Sequence, residues 1–263
     1  MFSDNLIEIC AGSAEDVMTA CRFPIDRIEL NSALELGGLT PSLSVFRFAK
    51  QHTSLPIMCM VRPRAAGFIY SETEFEIMRS DAELMLENGA DGIVFGFLNP
   101  DHTVDETRTA VLAELAHAHD CQAVFHRAFD QTADPFAAAE ALIRCGIDRV
   151  LTSGQNDTAP EGAPLIAELI RRYEPSLSIL PGAGINAETI LAVKQETGSR
   201  QFHMTAKSLR NDSGTYPAVD ARNIQAVMNA LRTYASASGQ PVLTREDAEM
   251  LEQEQYEQTL AIG

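Results

Sequence analysis

Short hydrophobic runs alternate along the chain with longer segments in which hydrophobic residues recur at helical spacing. The short runs predict strands, and the longer segments predict amphipathic helices. Strands that alternate with helices pair in parallel through right-handed crossovers. Eight strands are predicted, at Leu6–Cys10, Arg27–Asn31, Ile57–Arg62, Gly92–Phe97, Ala123–Arg127, Arg149–Thr152, Ser178–Leu180 and Gln201–Thr205.

Two corners between a helix and the next strand are near copies of each other. Residues 87–94 and 144–150 both pass from a helix end through glycine and aspartate into a strand. Glycine suits this position because it accepts the left-handed conformation that ends a helix. A chain of 263 residues with eight such units predicts one α/β domain, a TIM (β/α)8 barrel. The predicted helices include Glu72–Asn88, Asp105–His119, Pro135–Cys145, Gly162–Tyr173 and Ala187–Thr197.

The last part of the chain departs from this pattern. We expect the barrel to occupy residues 1–235, because soon afterwards, at residues 238–241, the pattern changes to Ser-Gly-Gln-Pro. Thr244 can cap an acidic helix that runs through Glu249–Leu260. Residues 236–263 are therefore predicted to form an acidic helical appendage or tail, which packs on the barrel or on a partner subunit or stays solvated. A homo-oligomer is expected, with a dimer as its simplest form.

Charge and composition narrow the classes of partner. The 37 acidic residues outnumber the 20 basic ones and give a formal net charge of -17, which repels nucleic acid and anionic membranes. Met1–Asn5 lacks the basic start of a signal peptide, and no apolar run reaches the roughly 18 residues of a membrane span. The five cysteines form no CxxC pair, which fits a reducing compartment. We expect a cytoplasmic protein without nucleic-acid or membrane partners.

Strand alternation predicts which polar side chains point into the barrel. Neighbouring residues of a strand take opposite faces, so Glu8 and Cys10 share one face of the first strand. Glu29 lies on the equivalent face of the second strand. Arg62 ends the third strand, and Arg64 continues its parity just beyond. The pattern predicts two guanidinium groups near two inward carboxylates at the mouth of the barrel.

The later strands add further polar groups. His126 lies in line with Asp130 at the end of the fifth strand, and His203 lies in the eighth. Gly182 and Gly184 follow the seventh strand, where glycines free backbone amides to approach a ligand. Barrels often bind phosphate after strands seven and eight. These groups indicate a polar site at the carboxyl ends of the strands.

Purely structural roles would also explain these residues. Glu8, Glu29 and Arg62 could form a buried ion-pair layer, since paired charges are less costly to bury than isolated ones. His126 and His203 could be structural histidines with satisfied hydrogen bonds. The glycine-rich turn could merely admit the next helix. All of these alternatives remain open at the level of the sequence.

A set of sulfur atoms offers a different interpretation. Met58 and Met60 share the inward parity of the third strand, and Cys10 lies inward on the first. Thiolate and thioether ligands select copper(I). Methionine is equally a common filler of hydrophobic cores.

Seven segments of the chain resemble the CutC copper-homeostasis family. They follow one another in the family's order over about residues 6–207. The resemblance implies a TIM barrel, a cytoplasmic location, and a part in copper tolerance through binding of copper(I). The segments are Glu8–Ser13, Arg27–Leu34, Gly37–Ser42, Met60–Arg64, Phe125–Asp130, Leu151–Gly154 and Ile179–Ile185.

The resemblance also implies two cysteine ligands for copper, near the first two strands. The first of these positions is Cys10, and the second is Asn31 in this sequence. An amide oxygen is a harder ligand than a thiolate and does not replace it for copper(I). Cys10 is therefore the metal ligand that the sequence predicts.

An enzyme is the alternative function. Arginine forks suit carboxylate or phosphate, histidine suits proton exchange, and inward carboxylates can act as bases, so the substrate would be a small anionic metabolite, phosphorylated ones included. A third alternative is a scaffold without catalysis whose acidic tail makes the contact. The catalytic candidates are Glu8, Glu29, His126 and Asp130, and the anion-binding candidates are Arg62, Arg64, Arg127, Ser153, Gly182, Gly184 and His203.

Overall fold

Eight short parallel strands form the centre of the fold. The structure is a computed structural model that describes residues 5–237. The strands are β1 Leu6–Ala11, β2 Arg27–Leu30, β3 Ile57–Met60, β4 Gly92–Phe95, β5 Gln122–Phe125, β6 Arg149–Thr152, β7 Ser178–Pro181 and β8 Gln201–Met204.

The strands pair in the order β7-β6-β5-β4-β3-β2-β1-β8. The two end strands lie against each other, and the Gln201 side chain on β8 donates a hydrogen bond of 3.1 Å to the Ile179 carbonyl on β7. This side-chain contact helps to close the sheet into a barrel. The predicted TIM barrel is therefore confirmed.

Three strands, β3, β4 and β5, end two residues earlier than the sequence predicts, and hydrogen bonds or turns explain the ends of β3 and β5. β3 stops at Met60 because the backbone of Arg62 turns to Thr40: its N–H donates to Thr40 Oγ1, and its carbonyl accepts from the Thr40 N–H. β5 stops at Phe125 because a short 3-10 turn begins at Arg127. Both departures occur at the mouth, where the chain leaves the sheet to build the site.

Helices cover the outside of the barrel, and the predicted ones are all found. The seventh begins three residues later than expected, because the Asn186 side chain accepts from the backbone N–H groups of Glu188 and Thr189 and holds a turn there. The helices are α1 Ala14–Ala20, α2 Leu43–His52, α3 Glu72–Glu87, α4 Glu106–Ala118, α5 Pro135–Arg144, α6 Ala163–Tyr173, α7 Ile190–Thr197 and α8 Ala221–Ala237. No helix within residues 5–237 has the length and hydrophobicity that a membrane crossing requires.

An antiparallel hairpin that the sequence did not predict follows β8. Its strands are β9 Lys207–Asn211 and β10 Thr215–Val219. The Val219 N–H donates to Asp16 Oδ1 at 2.8 Å, which ties the hairpin to α1. Helix α8 then runs to Ala237, so the expected acidic tail of residues 236–263 lies almost entirely outside the described residues.

The core has two unequal parts. The larger part lies between the sheet and the helices and contains outward-facing strand residues such as Ile9, Ile28 and Phe125. The smaller part lies inside the barrel. It consists of Met58, Met60, Val94 and Val124 on β3, β4 and β5. The charged inward residues come from the other strands, so one side of the barrel interior is mainly apolar and the other is charged.

Candidate functional site

Strand register brings three charged residues together inside the barrel. Glu8 on β1 lies opposite Arg27 on β2 and opposite His203 on β8. One carboxylate oxygen of Glu8 accepts a hydrogen bond from Arg27 Nε, and the other lies 2.7 Å from His203 Nδ1. Because a carboxylate only accepts, Nδ1 carries the proton. The His203 ring is thereby oriented, and Nε2 is the nitrogen that a metal could bind after it releases its proton.

A second group lies one layer nearer the mouth. Register pairs Cys10 with Glu29, and the Cys10 sulfur lies 3.7 Å from Glu29 Oε1. Asn31 Nδ2 donates to Glu29 Oε1 at 2.8 Å and to the Cys10 sulfur at 3.4 Å. Cys10, Glu29 and His203 are all buried, and their potential ligand atoms lie within 4.8 Å of one another. We call these three residues the floor cluster.

Burial and charge set the protonation of these groups. Burial raises the pKa of Glu8, but Arg27 and His203 outweigh it and hold the pKa of this carboxyl well below its usual range. Burial lowers the pKa of His203, but Glu29, Cys10 and Glu8 outweigh it and raise that pKa well above the ordinary value. Burial also raises the pKa of Glu29, and raises that of the Cys10 thiol to about 11. At neutral pH the metal-free floor therefore holds a thiol and a cationic imidazole.

A pocket of about 1380 Å³ opens above the floor cluster at the carboxyl ends of the strands. Most of the predicted site residues line it, which places them around one cavity. Glu8, Arg64, Ser153 and Gly182 do not line it. Those that do are Cys10, Glu29, Arg62, His126, Arg127, Asp130, Gly184 and His203.

His126 is a buried neutral imidazole. Burial, and then the charge of Arg62, lower its pKa to about 3. The N–H of Ala128 donates to His126 Nδ1 at 3.1 Å, so the neutral ring carries its proton on Nε2. Near pH 7 this side chain can donate a hydrogen bond, but its low pKa does not favour the proton exchange expected of it.

Asp130 organises the loops after β5 and β6. Its carboxylate accepts from Arg127 Nε at 2.7 Å, from Thr152 Oγ1 at 2.5 Å and from Ser153 Oγ at 2.9 Å. It also accepts from the backbone N–H of Gln155 at 3.2 Å. These donors fix the orientation of the carboxylate. Asp130 and Ser153 thus hold the mouth in shape, and Arg127 presents its half-exposed guanidinium to the pocket.

The two predicted arginines do not lie as the sequence suggested. Arg62 donates to the backbone carbonyls of Leu36, Gly38 and Ala66 and makes no ion pair with an acidic residue of the described chain. Arg64 lies outside the pocket and pairs with Glu74 on α3. The prediction that these guanidinium groups stand beside the inward carboxylates is therefore wrong. Both residues lie beyond the end of β3, in the loop that leads to α3.

The loop after β7 contributes backbone amides. A side chain at Gly182 would approach Leu151 Cδ1 to 2.5 Å, so glycine at that position permits close packing of β6 and β7. Gly184 lines the pocket with a φ of 73°. The N–H groups of Ala183, Gly184 and Ile185 donate to no acceptor within the described residues. Three amides are thus free at one rim of the pocket.

Known proteins are similar to this chain in sequence and in fold. The sequence model of the CutC family matches residues 5–208. The chain belongs to the CutC family. A CutC family protein of Treponema denticola is 49% identical over 209 residues, which are 80% of this chain and 84% of the relative. The human copper homeostasis protein cutC homolog is 40% identical over 225 residues, which are 86% of this chain and 80% of that protein.

A crystal structure from the same family agrees with the barrel. A CutC protein of Streptococcus agalactiae superposes with a TM-score of 0.71 at 30% identity, covering 76% of this chain and 98% of that one. The predicted resemblance to the CutC family is therefore confirmed. Within this family barrel, Cys10 faces the pocket, and Asn31 lies beside it as a hydrogen-bond donor to its sulfur.

Sequence reasoning missed two buried arginines of this CutC-family barrel. Arg27 pairs with Glu8, and Arg149 donates to Gln122 Oε1 at 2.6 Å. Burial, and then the charge of Arg27, lower the pKa of Arg149 to about 10. The available signal was parity: Arg27 shares the inward face of β2 with Glu29, two residues further on.

Proposed function

We propose that this CutC-family protein binds copper(I) at the floor of its barrel mouth. The Cys10 sulfur and His203 Nε2 would be the main ligands, with Glu29 as a third. The observation that carries the proposal is the floor cluster, in which one thiol, one imidazole and one carboxylate lie within 4.8 Å of one another. Copper would be the cargo of a protein related to the human copper homeostasis protein.

The donor set fits copper(I). Thiolates select this ion, and imidazole suits copper as well as zinc. Cys10 and His203 supply one of each, and both line the pocket, so an ion that enters the mouth reaches them. The carboxylate of Glu29 is a harder ligand than the thiolate. It would add a negative charge beside the copper ion.

The hydrogen bond between Glu8 and His203 supports a metal ligand. A histidine that binds a metal usually donates its other ring N–H to a carboxylate or carbonyl, which fixes the ring and increases its basicity. Glu8 accepts from Nδ1 of His203 in this way. Glu8 would therefore be a positioning residue that acts through His203.

Asn31 suits a supporting role. It stands where the family resemblance implies a second cysteine, and its amide donates to both Cys10 and Glu29. Donation to a thiolate stabilises the charged sulfur. His203 would thus provide the second main ligand in place of the missing thiolate.

The proposal also requires that Cys10 remain a free thiol. All five cysteines, Cys10 among them, are unpaired. A reducing compartment such as the cytoplasm keeps thiols in this form. A cytoplasmic location would meet this requirement and is part of the proposal.

An anaerobic copper(I) titration against a competing chelator tests this function. The wild-type chain should bind one equivalent, and Cys10→Ser should bind at least about tenfold more weakly, because serine offers no soft ligand. Cys21→Ser is the matched control, since Cys21 lies at the end of α1 outside the pocket and should leave the affinity unchanged.

His203→Gln provides a second arm of the titration. It should weaken copper binding to an extent similar to Cys10→Ser, because both supply main ligands. Equal affinities in wild type, Cys10→Ser and His203→Gln would contradict the proposal, and so would an affinity loss of the same size in Cys21→Ser.

A further inference from the structure

Arg62 is a buried cation without a carboxylate partner among residues 5–237. Its guanidinium donates to the backbone carbonyls of Leu36, Gly38 and Ala66, and none of the described acidic residues forms an ion pair with it. The residue is 5% exposed and lines the pocket. Buried charges in proteins are normally paired, because carbonyl dipoles neutralise no net charge. The mouth therefore holds a positive charge that the described residues leave uncompensated.

His126 lies in the same part of the mouth with an unused donor. Its Nε2 carries the ring proton, because Nδ1 accepts from the Ala128 N–H, yet Nε2 has no partner in the described structure. The residue is 4% exposed. A buried donor without an acceptor is destabilising, so such a group commonly marks the place where a water or ligand binds.

Phe68 joins these two groups into one site. Its ring centroid lies 5.3 Å from the Arg62 guanidinium carbon and 4.8 Å from the centroid of the His126 ring. All three residues line the pocket, whose other rim carries the free amides of residues 183–185. A positive charge and a neutral N–H donor thus lie on one wall of the pocket, and backbone amides without an acceptor among the described residues lie on the other.

We infer that the barrel mouth binds a small organic oxyanion, a carboxylate or a phosphate ester, whose oxygen accepts from His126 and lies beside Arg62. The body of the ligand occupies the pocket, and its volume of about 1380 Å³ is large enough for a metabolite. This site is separate from the floor cluster, because neither Arg62 nor His126 belongs to it.

Phe68 controls access to the donor. Nε2 of His126 is itself inaccessible to solvent, so a ligand reaches it only if a neighbouring group moves. Phe68 is half-buried on the loop between β3 and α3, beside the exposed Ala66 and Gly67. Phe68 packs on the imidazole and is the neighbour that the proposed binding requires to move.

A titration of the full chain followed by NMR of the histidine side chains tests the site. Inorganic phosphate and malonate are the probes, each added at constant ionic strength with chloride. The Nε2–H signal of His126 should be present at pH 7 and should move saturably with at least one probe. His126→Phe, which keeps a ring but removes the donor, should weaken that binding at least tenfold.

Three further variants show whether Arg62 and His126 form the site. His52→Phe is the matched control, because His52 lies on α2 outside the pocket and should leave binding unchanged. Cys10→Ser should also bind the anion as wild type does, so a failure of the copper proposal leaves this one standing. Arg62→Gln removes the charge but keeps donors for the carbonyls, and it should weaken binding as His126→Phe does.

The pattern of responses decides the outcome. Saturable binding of phosphate alone supports a phosphate ester, and binding of malonate alone supports a carboxylate. Absence of saturable binding with both probes would overturn the inference and leave a buried water as the partner of Nε2. Unchanged affinity in both His126→Phe and Arg62→Gln would overturn it equally.

Discussion

At the scale of single residues, the carboxylate of Glu8 connects the charges of the barrel interior. One oxygen binds Arg27 and the other binds His203, so the same group compensates a buried guanidinium and orients an imidazole that faces the pocket. Arg27 Nη2 already has no partner in the described chain. Structure and site chemistry therefore depend on the same carboxylate.

Replacement of Glu8 by glutamine should destabilise the fold strongly. The change leaves the buried Arg27 without a compensating charge, and loss of one member of a buried pair typically costs about 3–5 kcal/mol. Urea unfolding at pH 7 measures the difference. Glu83→Gln is the matched control, because Glu83 pairs with Arg79 on the exposed surface of α3, and it should cost less than about 1 kcal/mol. Equal costs for the two variants would contradict this account of the interior.

His126 should make stability fall in acid. Its folded-state pKa is about 3 against an ordinary value of 6.5, so between these values the unfolded chain binds a proton that the folded chain does not. Stability is unaffected above pH 6.5 and is lost as the pH falls below it. Between pH 7 and pH 4 this loss amounts to roughly 3 kcal/mol, at about 1.4 kcal/mol for each pH unit below 6.5. His126→Gln should lack this contribution in urea unfolding at the two pH values, whereas parallel pH profiles would show that the ring protonates freely when folded.

Parity along single strands could be read from the sequence, but the partners across strands could not. The sequence predicted that Glu8, Cys10 and Glu29 point inward, and the structure agrees. It assigned Arg62 and Arg64 as their neighbours, whereas register selects Arg27 instead. Register depends on the packing of the helices and loops between strands, which periodicity within one strand does not encode.

At the scale of elements, loops that leave the strand ends hold the site in shape. The loop between β6 and α6 packs backbone against backbone, and a Cβ on Gly162 would lie 1.9 Å from the Ser153 carbonyl oxygen. Ser153 in turn binds Asp130, which anchors Arg127. Glycine at position 162 therefore permits the close approach on which this side of the mouth depends.

Gly162→Ala should disturb this side of the mouth. The added methyl group overlaps backbone that cannot move without shifting Ser153, and overpacking of this kind costs about 1–3 kcal/mol. Thermal unfolding measures the loss. Gly67→Ala is the matched control, since a Cβ there meets no atom within 4 Å, and it should change stability by no more than about 0.5 kcal/mol. A Gly162→Ala variant as stable as Gly67→Ala would show that the loop adapts freely.

The eight strands and most of the helices around them could be predicted because each carries a clear hydrophobic period. The hairpin of β9 and β10 could not, since its first strand is almost entirely polar or exposed and carries no such period. The early end of β3 could not be predicted from the sequence either, because it depends on hydrogen bonds between Arg62 and Thr40, which is distant along the chain. Local pattern thus predicted the repeating units and missed what tertiary contacts decide.

At the scale of the whole molecule, apolar packing and charged groups occupy different sides of the barrel interior. Met58, Met60, Val94 and Val124 fill one side with apolar contacts, while the other side carries the charged network and the floor cluster. The net charge of -17 favours the approach of cations. The same net charge repels anions, so the binding of an anion at the mouth would depend on the local positive charge of Arg62.

The central claim is that copper(I) is held by one thiolate and one imidazole at the floor of the barrel. X-ray absorption at the copper edge of the anaerobically loaded full chain tests it most directly. The account predicts one sulfur neighbour per copper together with the scattering of a histidine ring, and loss of the sulfur in Cys10→Ser. A copper ion with two or more sulfur neighbours, or with sulfur that persists in Cys10→Ser, would contradict it.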